Sequence, residues 1–283
     1  DTIEFNGMVE YLKSLYVDPQ VQGNNDFKLI ILWTIYDINS IFFEYCINTL
    51  IKDEFIPFLV SQLKDEDYLF AEPILGIFYY ITCNFKLLDE KPENPIFDFD
   101  LSTVYSLCLS APTESIQYEA FQLIHIMTEI FPSYMYSQDV VQLLVQASEE
   151  DNCSYKMKYQ ILWIACILIS RNDISFIPPD ILHILLAFIV NNSIDNEERA
   201  DLALQNIIFL RRTMQLEKRI DIYDQLAAES GVDDFIEELR DSTNEKICIL
   251  LDQYDKLANG SEDFIDAFNY SCAENKFSPF DDG

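Results

Sequence analysis

The chain of 283 residues carries 18 Lys and Arg against 49 Asp and Glu, a formal net charge of −31, with 49% hydrophobic and 14% aromatic residues. So much apolar content excludes a disordered chain, and the acidic balance excludes nucleic acid as a partner, because phosphate backbones are held by clusters of Lys and Arg. A field of this sign favours cationic peptides, which it steers over a screening length of about 10 Å, and it also keeps a protein soluble.

Read from the N-terminus, apolar residues recur at steps of three and four over 27–38, which predicts a long helix with Trp33 near its centre. A shorter amphipathic helix follows at 55–63, and a second long one is centred near Phe78, where Pro73 and Gly76 predict a kink or a late start. The polar stretch 86–100 reads as an insertion. Helices alternate short and long beyond it, at 101–109, 115–131, 140–147, 157–169, 179–190, 200–210, 232–239 and 247–257. Pro112-Thr113-Glu114, Pro178-Pro179 and Asp195-Asn196-Glu197-Glu198 are start signals for three of them.

Trp33, Phe78, Gln122, Trp163, Gln205 and Leu251 lie near the centres of the long helices, at a spacing of about 40 to 45 residues. One such unit cannot bury its apolar face alone, so the period predicts an all-α, right-handed solenoid of about six stacked repeats. The repeats span 1–260, and an acidic tail, 261–283, follows Gly260 with one amphipathic turn at Phe264, Ile265 and Phe268.

Seven cysteines form no C-x-x-C pair, and Cys166 sits in an apolar helical run, where a thiol acts as a small hydrophobe. That usage fits a reducing compartment, cytoplasmic or nuclear. No apolar stretch reaches the roughly 20 residues of a membrane span. Gly-rich phosphate loops, G-x-S-x-G and H-E-x-x-H are all missing, so the expected protein is not an enzyme and holds no cofactor or metal. His125 and His183, each alone in an apolar helix, read as structural. The basic cluster Arg211 to Arg219 reads as a helix C-terminus.

The segment 195–257 carries a family resemblance. Ala203-Leu-Gln-Asn-Ile-Ile208 is followed by a Tyr-containing helix from Ile222, which passes through Gly231 into the acidic helix ending at Leu239 and then Asn244-Glu-Lys-Ile247. This resembles the end of the armadillo array in importin-alpha-type nuclear import adaptors, with the six units similar to the C-terminal part of that array. The resemblance implies a concave groove that binds basic, localisation-signal-like peptides. It also implies cargo proteins and an importin-beta or exportin-type receptor as partners.

In that family, W-x-x-x-N motifs line the groove, with Trp faces holding Lys or Arg stems and Asn fixing the peptide backbone. Positions i and i+4 share one helix face, and an aromatic ring stabilises a cation by about 0.5 to 2 kcal/mol. Here Trp33 is followed by Asp37, Trp163 by Ile167, and the intervening unit offers Gln122 and Ile126. Ile41 and Arg171 occupy the places of the family's acid eight residues after a groove Trp. The peptide-binding residues expected are therefore Trp33, Asp37, Phe78, Gln122 and Trp163. Asp37 is the best placed, because a carboxylate within an apolar run must face solvent or be paired. The alternative is a general armadillo or HEAT scaffold, or a regulatory subunit, that binds a folded partner without a localisation signal.

Overall fold

The computed structural model describes residues 2–51, 55–63, 68–84, 101–137, 140–148, 154–171, 177–194 and 196–259. Among the described residues there are fourteen helices and no strand. The expected insertion at 86–100 and the tail at 261–283 lie outside them. The chain divides into two compact units, Asp1–Ile167 and Leu168–Gly283.

The first unit contains α1 (Thr2–Val17), α2 (Asn25–Leu50), α3 (Phe55–Gln62), α4 (Ala71–Cys83), α5 (Leu101–Ser110), α6 (Glu114–Ile130), α7 (Pro132–Ser137) and α8 (Val140–Ser148), together with most of α9 (Tyr155–Arg171). Its spine is the stack of α2 on α4 and α4 on α6, with α1 against α2 and α5 against α6. Leu32 and Ile35 of α2, Ile74, Leu75, Ile77, Phe78 and Ile81 of α4, and Leu123, Ile124 and Met127 of α6 are fully buried. Each contributes about 1.5 to 3 kcal/mol by leaving water.

The long helix expected over 27–38 continues to Leu50, broken only at Phe42, whose φ of −122° and ψ of 30° leave the helical region. The polar pair Asn39-Ser40 looks like an end in the sequence. In the fold Asn39 is buried and donates its Nδ2 to the Ile77 carbonyl of α4 (3.4 Å), while its Oδ1 has no hydrogen-bond partner, so the amide is half served and the helix runs on. Asn24 caps α2 by accepting from the Phe27 N–H (3.0 Å). Pro73 stands third in α4, within the first turn, where its missing N–H has no partner to lose, so the helix starts late and runs on without a break.

Gly76 makes a close approach possible. A Cβ on it would overlap the Tyr36 ring, which lies on the α4 backbone. Gly→Ala inside a helix ordinarily gains about 0.5 to 1 kcal/mol. Overpacking a rigid ring costs about 1 to 3 kcal/mol, and overpacking wins here. Gly76→Ala is expected to lower stability by about 1 to 2 kcal/mol in urea titration. The loss should shrink in the Tyr36→Ala background, and undiminished loss there would refute the ring overlap as its cause.

The second unit contains α10 (Pro179–Asn191), α11 (Glu197–Leu216), α12 (Ile220–Glu229), α13 (Val232–Leu239) and α14 (Glu245–Ala258). Here α11 packs on α14 and α12, and α10 packs on α12 and α13. The acidic start of α11 is capped by Asn196, which accepts from the Arg199 N–H (3.0 Å). Gly231, at φ +75°, turns the chain between α12 and α13 through the left-handed region, which penalises a Cβ. Cys108 and Cys166 are buried free thiols, raised by burial well above the ordinary thiol range, whereas Cys248 is exposed.

Candidate functional site

The spine helices of the first unit turn one aromatic and acidic face away from the core. Along α2, Phe27, Ile30, Asp37 and Ile41 are exposed and Trp33, Thr34, Tyr36 and Ser40 half-buried, while Leu32, Ile35 and Ile38 point inward. Trp33 packs edge-on to Tyr36, with ring centroids 5.2 Å apart. Tyr36 meets Tyr80 of α4 at 5.5 Å, and Tyr80 meets Tyr79 at 5.3 Å. An aromatic wall therefore crosses from α2 to α4. The Tyr36 hydroxyl is pushed far above its ordinary range, first by burial and then by Tyr80, Glu119 and Asp37, so it stays neutral.

Beside this wall stand two carboxylates on adjacent helices, Glu72 of α4 and Glu119 of α6. Ser115, one turn before Glu119, donates its hydroxyl to Glu72 Oε1. Among the described residues neither glutamate, nor Asp37, has a Lys, Arg or His within ion-pair distance. Burial, and then the neighbouring Glu72 charge, raise the Glu119 carboxyl to about 7. A carboxyl that binds its proton more tightly when folded destabilises the fold as it ionises. Stability is therefore lost as pH rises from the ordinary glutamate value through about 7, and the full penalty applies above that. Glu119→Gln removes the penalty. With partial solvent exposure discounted, it is expected to stabilise the protein by about 1 kcal/mol at pH 8 and to change nothing near pH 4. Urea midpoints at the two pH values read this directly, and equal effects at both would contradict it.

Further along α6, Gln122 donates Nε2 to the Tyr118 hydroxyl (2.9 Å), and the Lys156 ammonium of α9 lies 6.0 Å from the Tyr118 ring centre. His125 shares a hydrogen bond through Nδ1 with Gln160 Oε1 and stacks on Trp163 at 6.0 Å and 19°. Burial lowers the His125 pKa against the opposing pull of Gln160, so its imidazole is neutral at pH 7. Trp163 is half-buried, with Tyr159 edge-on to it at 6.3 Å.

The five residues singled out in the sequence thus divide. Trp33 and Asp37 lie on the open face of α2, Gln122 is half-buried against Tyr118, and Trp163 carries His125 on one ring face. Phe78 is the correction. It has no exposed surface and belongs to the core, because the inward side of α4 runs through Ile74, Ile77, Phe78 and Ile81. The residues that α4 and α6 present instead are Glu72, Tyr80 and Glu119, which sequence reasoning passed over. The stripe Glu72, Gly76, Tyr80 at steps of four is the signal that finds them. Among the described residues no group of three or more His, Cys, Asp or Glu is placed to hold a metal ion. No helix among them is long and apolar enough to cross a membrane.

The sequence matches no protein-family model and no curated protein. Its fold does match solved structures. A designed armadillo repeat protein, YIII(Dq.V1)4CPAF, determined in complex with the peptide (KR)4, is 17% identical, with a TM-score of 0.64 over 87% of this chain and 98% of that one. Two engineered proteins, structural genomics targets OR329 and OR366, are 12% and 13% identical, each with a TM-score of 0.61 over 89% of this chain. They cover 97% and 99% of their own chains respectively. The fold is an all-α solenoid of armadillo-like repeats.

Proposed function

We propose that the protein is a non-enzymatic binding scaffold whose α2–α4–α6 face takes an extended basic peptide. The observation that carries this reading is the pair Glu72 and Glu119, together with Asp37, which have no cationic partner among the described residues and lie beside the wall of Trp33, Tyr36 and Tyr80. Carboxylates without a counterion among the described residues suit charge-assisted hydrogen bonds from a ligand, and aromatic faces suit the stems of Lys and Arg. The basic (KR)4 peptide bound by the designed armadillo protein of similar fold supports the same chemistry.

In its narrower form the reading is an import adaptor. The resemblance of 195–257 to the importin-alpha array supports that form, with a localisation-signal peptide as cargo and an importin-beta or exportin-type receptor as partner, in cytoplasm and nucleus. Trp33, Asp37, Gln122 and Trp163 are then contact positions, with 1–260 as the repeat domain and 261–283 as an acidic tail.

Fluorescence anisotropy with a labelled alternating Lys-Arg octapeptide, at low and at physiological salt, tests the reading. Saturable binding at about micromolar Kd or tighter is expected, weakened about tenfold or more by Asp37→Lys or by combined Glu72→Gln and Glu119→Gln. Binding that only low salt supports, or that none of these changes weakens, would refute it. A second reading, a scaffold for a folded partner, is favoured by Ile30 and Ile41, which are 60% and 67% exposed on the same helix as Asp37. Salt-insensitive capture of a folded protein would distinguish it.

A further inference from the structure

On α6, Tyr118, Gln122 and His125 recur at steps of four and three, and on α9 Lys156, Gln160 and Trp163 do the same, so each set forms one stripe. The two stripes meet. The Lys156 ammonium lies 6.0 Å from the Tyr118 ring centre, His125 shares its Nδ1 hydrogen bond with Gln160, and the His125 ring stacks on Trp163. The charge changes between this step and the one before it. Glu72 and Glu119 stand at the α4–α6 step, and Glu129, one turn beyond His125, lies on the side of α6 that faces Cys83 of α4. Helix α9, by contrast, opens with Lys156 and Lys158 and contains no Asp or Glu along its length. Gln122, Gln160 and the neutral His125 add no charge there. Lys156 is exposed, and among the described residues no carboxylate comes within ion-pair distance of it.

A cation in that place acts on a ligand in two ways. The Tyr118 face that an arriving Lys or Arg stem would use already carries an ammonium, and like charges repel there. A carboxylate arriving at the same place meets three N–H donors with no acid of the protein competing for them. We propose that Lys156 is a specificity-determining residue of the peptide face: it closes the α6–α9 step to basic side chains and seats a carboxylate of the bound peptide. The preferred ligand is then an extended peptide of mixed sign, a basic run over α2, α4 and α6 with an acidic residue beyond it, rather than an unbroken run of Lys and Arg. Packed helices lie about 8 to 10 Å apart and an extended chain advances about 3.3 to 3.6 Å per residue, so the acid falls about three residues past the base held at Glu72 and Glu119. The inference rests on the peptide-binding reading above and adds the charge pattern of the ligand to it.

Isothermal titration of the full chain at physiological salt tests this with acetylated, amidated peptides: the alternating Lys-Arg octapeptide, and the same octapeptide extended by Gly-Gly-Glu-Glu or by Gly-Gly-Gln-Gln. Extensions at the N-terminal and at the C-terminal end are both measured, so that either chain direction is covered. At one end the Glu extension should bind about threefold tighter than the Gln extension. The field of a chain of net charge −31 works against added acid, so bulk electrostatics gives the opposite order. Lys156→Glu should invert the preference. Lys158→Gln, which removes the same kind of charge two residues along α9 and so from another side of the helix, should keep it. Octapeptide binding with the Glu extension no tighter than the Gln extension at either end would overturn the role of Lys156 and leave the peptide reading standing. So would a preference that survives Lys156→Glu in a variant whose helices circular dichroism shows intact. If neither the octapeptide nor any extension binds, the peptide reading falls and this inference falls with it.

Discussion

Phe78→Ala is expected to destabilise the first unit by about 3 to 5 kcal/mol, the cost of removing a large ring from a site that cannot collapse around the void. Phe78 is fully buried at the centre of α4, and α4 itself is held on one side by α2 and on the other by α6. The cavity would open in the middle of the spine, where both neighbours are already packed. Urea unfolding should show a lower midpoint with little change in slope, because the surface exposed on unfolding hardly alters. The same variant should bind a basic peptide within about twofold of wild type while folded, since the ring touches core and not the open face. Preserved stability with lost binding would place Phe78 in the groove and would mean that the register of α4 is wrong.

That variant also marks where the sequence stops being legible. The period that aligns Phe78 with Trp33 and Gln122 finds the helices and their order, because the helical apolar repeat is dictated by burial. Helix bounds at 101–109, 179–190 and 232–239 agree with α5, α10 and α13 to within one residue, each marked by apolar spacing and local punctuation. The period does not find which side of α4 faces out, because one residue of register rotates a side chain by about 100°. Gly76 could be read as a helix interruption, yet its use is to let Tyr36 lie on the backbone of α4, a contact between residues far apart in sequence. Glu119 was equally hidden. An isolated Glu in a helix reads as solvated surface, and only the packing of α4 against α6 brings Glu72 close enough to disturb it. Short α7 escaped detection because a six-residue helix is too brief to display a period.

In the second unit Arg211→Ala is expected to cost about 2 to 3 kcal/mol, a sum of two desolvated cation–π contacts and the packing of the side-chain stem. The Arg211 guanidinium lies 5.0 Å from the ring centre of Tyr223 and 5.2 Å from that of Tyr254, so it is held between residues of α12 and α14. It donates to the Tyr254 hydroxyl (3.3 Å) and pairs with Asp224 at 3.6 Å. The Tyr223 hydroxyl, raised far above its ordinary range chiefly by burial, stays neutral beside it. The basic cluster expected at a helix C-terminus leaves no basic residue in the last turn of α11, since Arg211 and Arg212 precede that turn and Lys218 and Arg219 follow it. Its first residue is instead committed inside the fold, and Arg212 next to it is buried too. Arg211→Lys keeps the charge but loses the flat stacking surface, and about half the destabilisation should remain in a thermal melt. If Lys restored full stability, simple charge at this position would be the cause and the stacking would not. The geometry also bears on recognition. Two tyrosine faces and one carboxylate hold a basic side chain here, and the open face of the first unit carries the same elements, aromatic rings and carboxylates with no cationic partner among the described residues, which is the chemistry the proposed basic peptide would use.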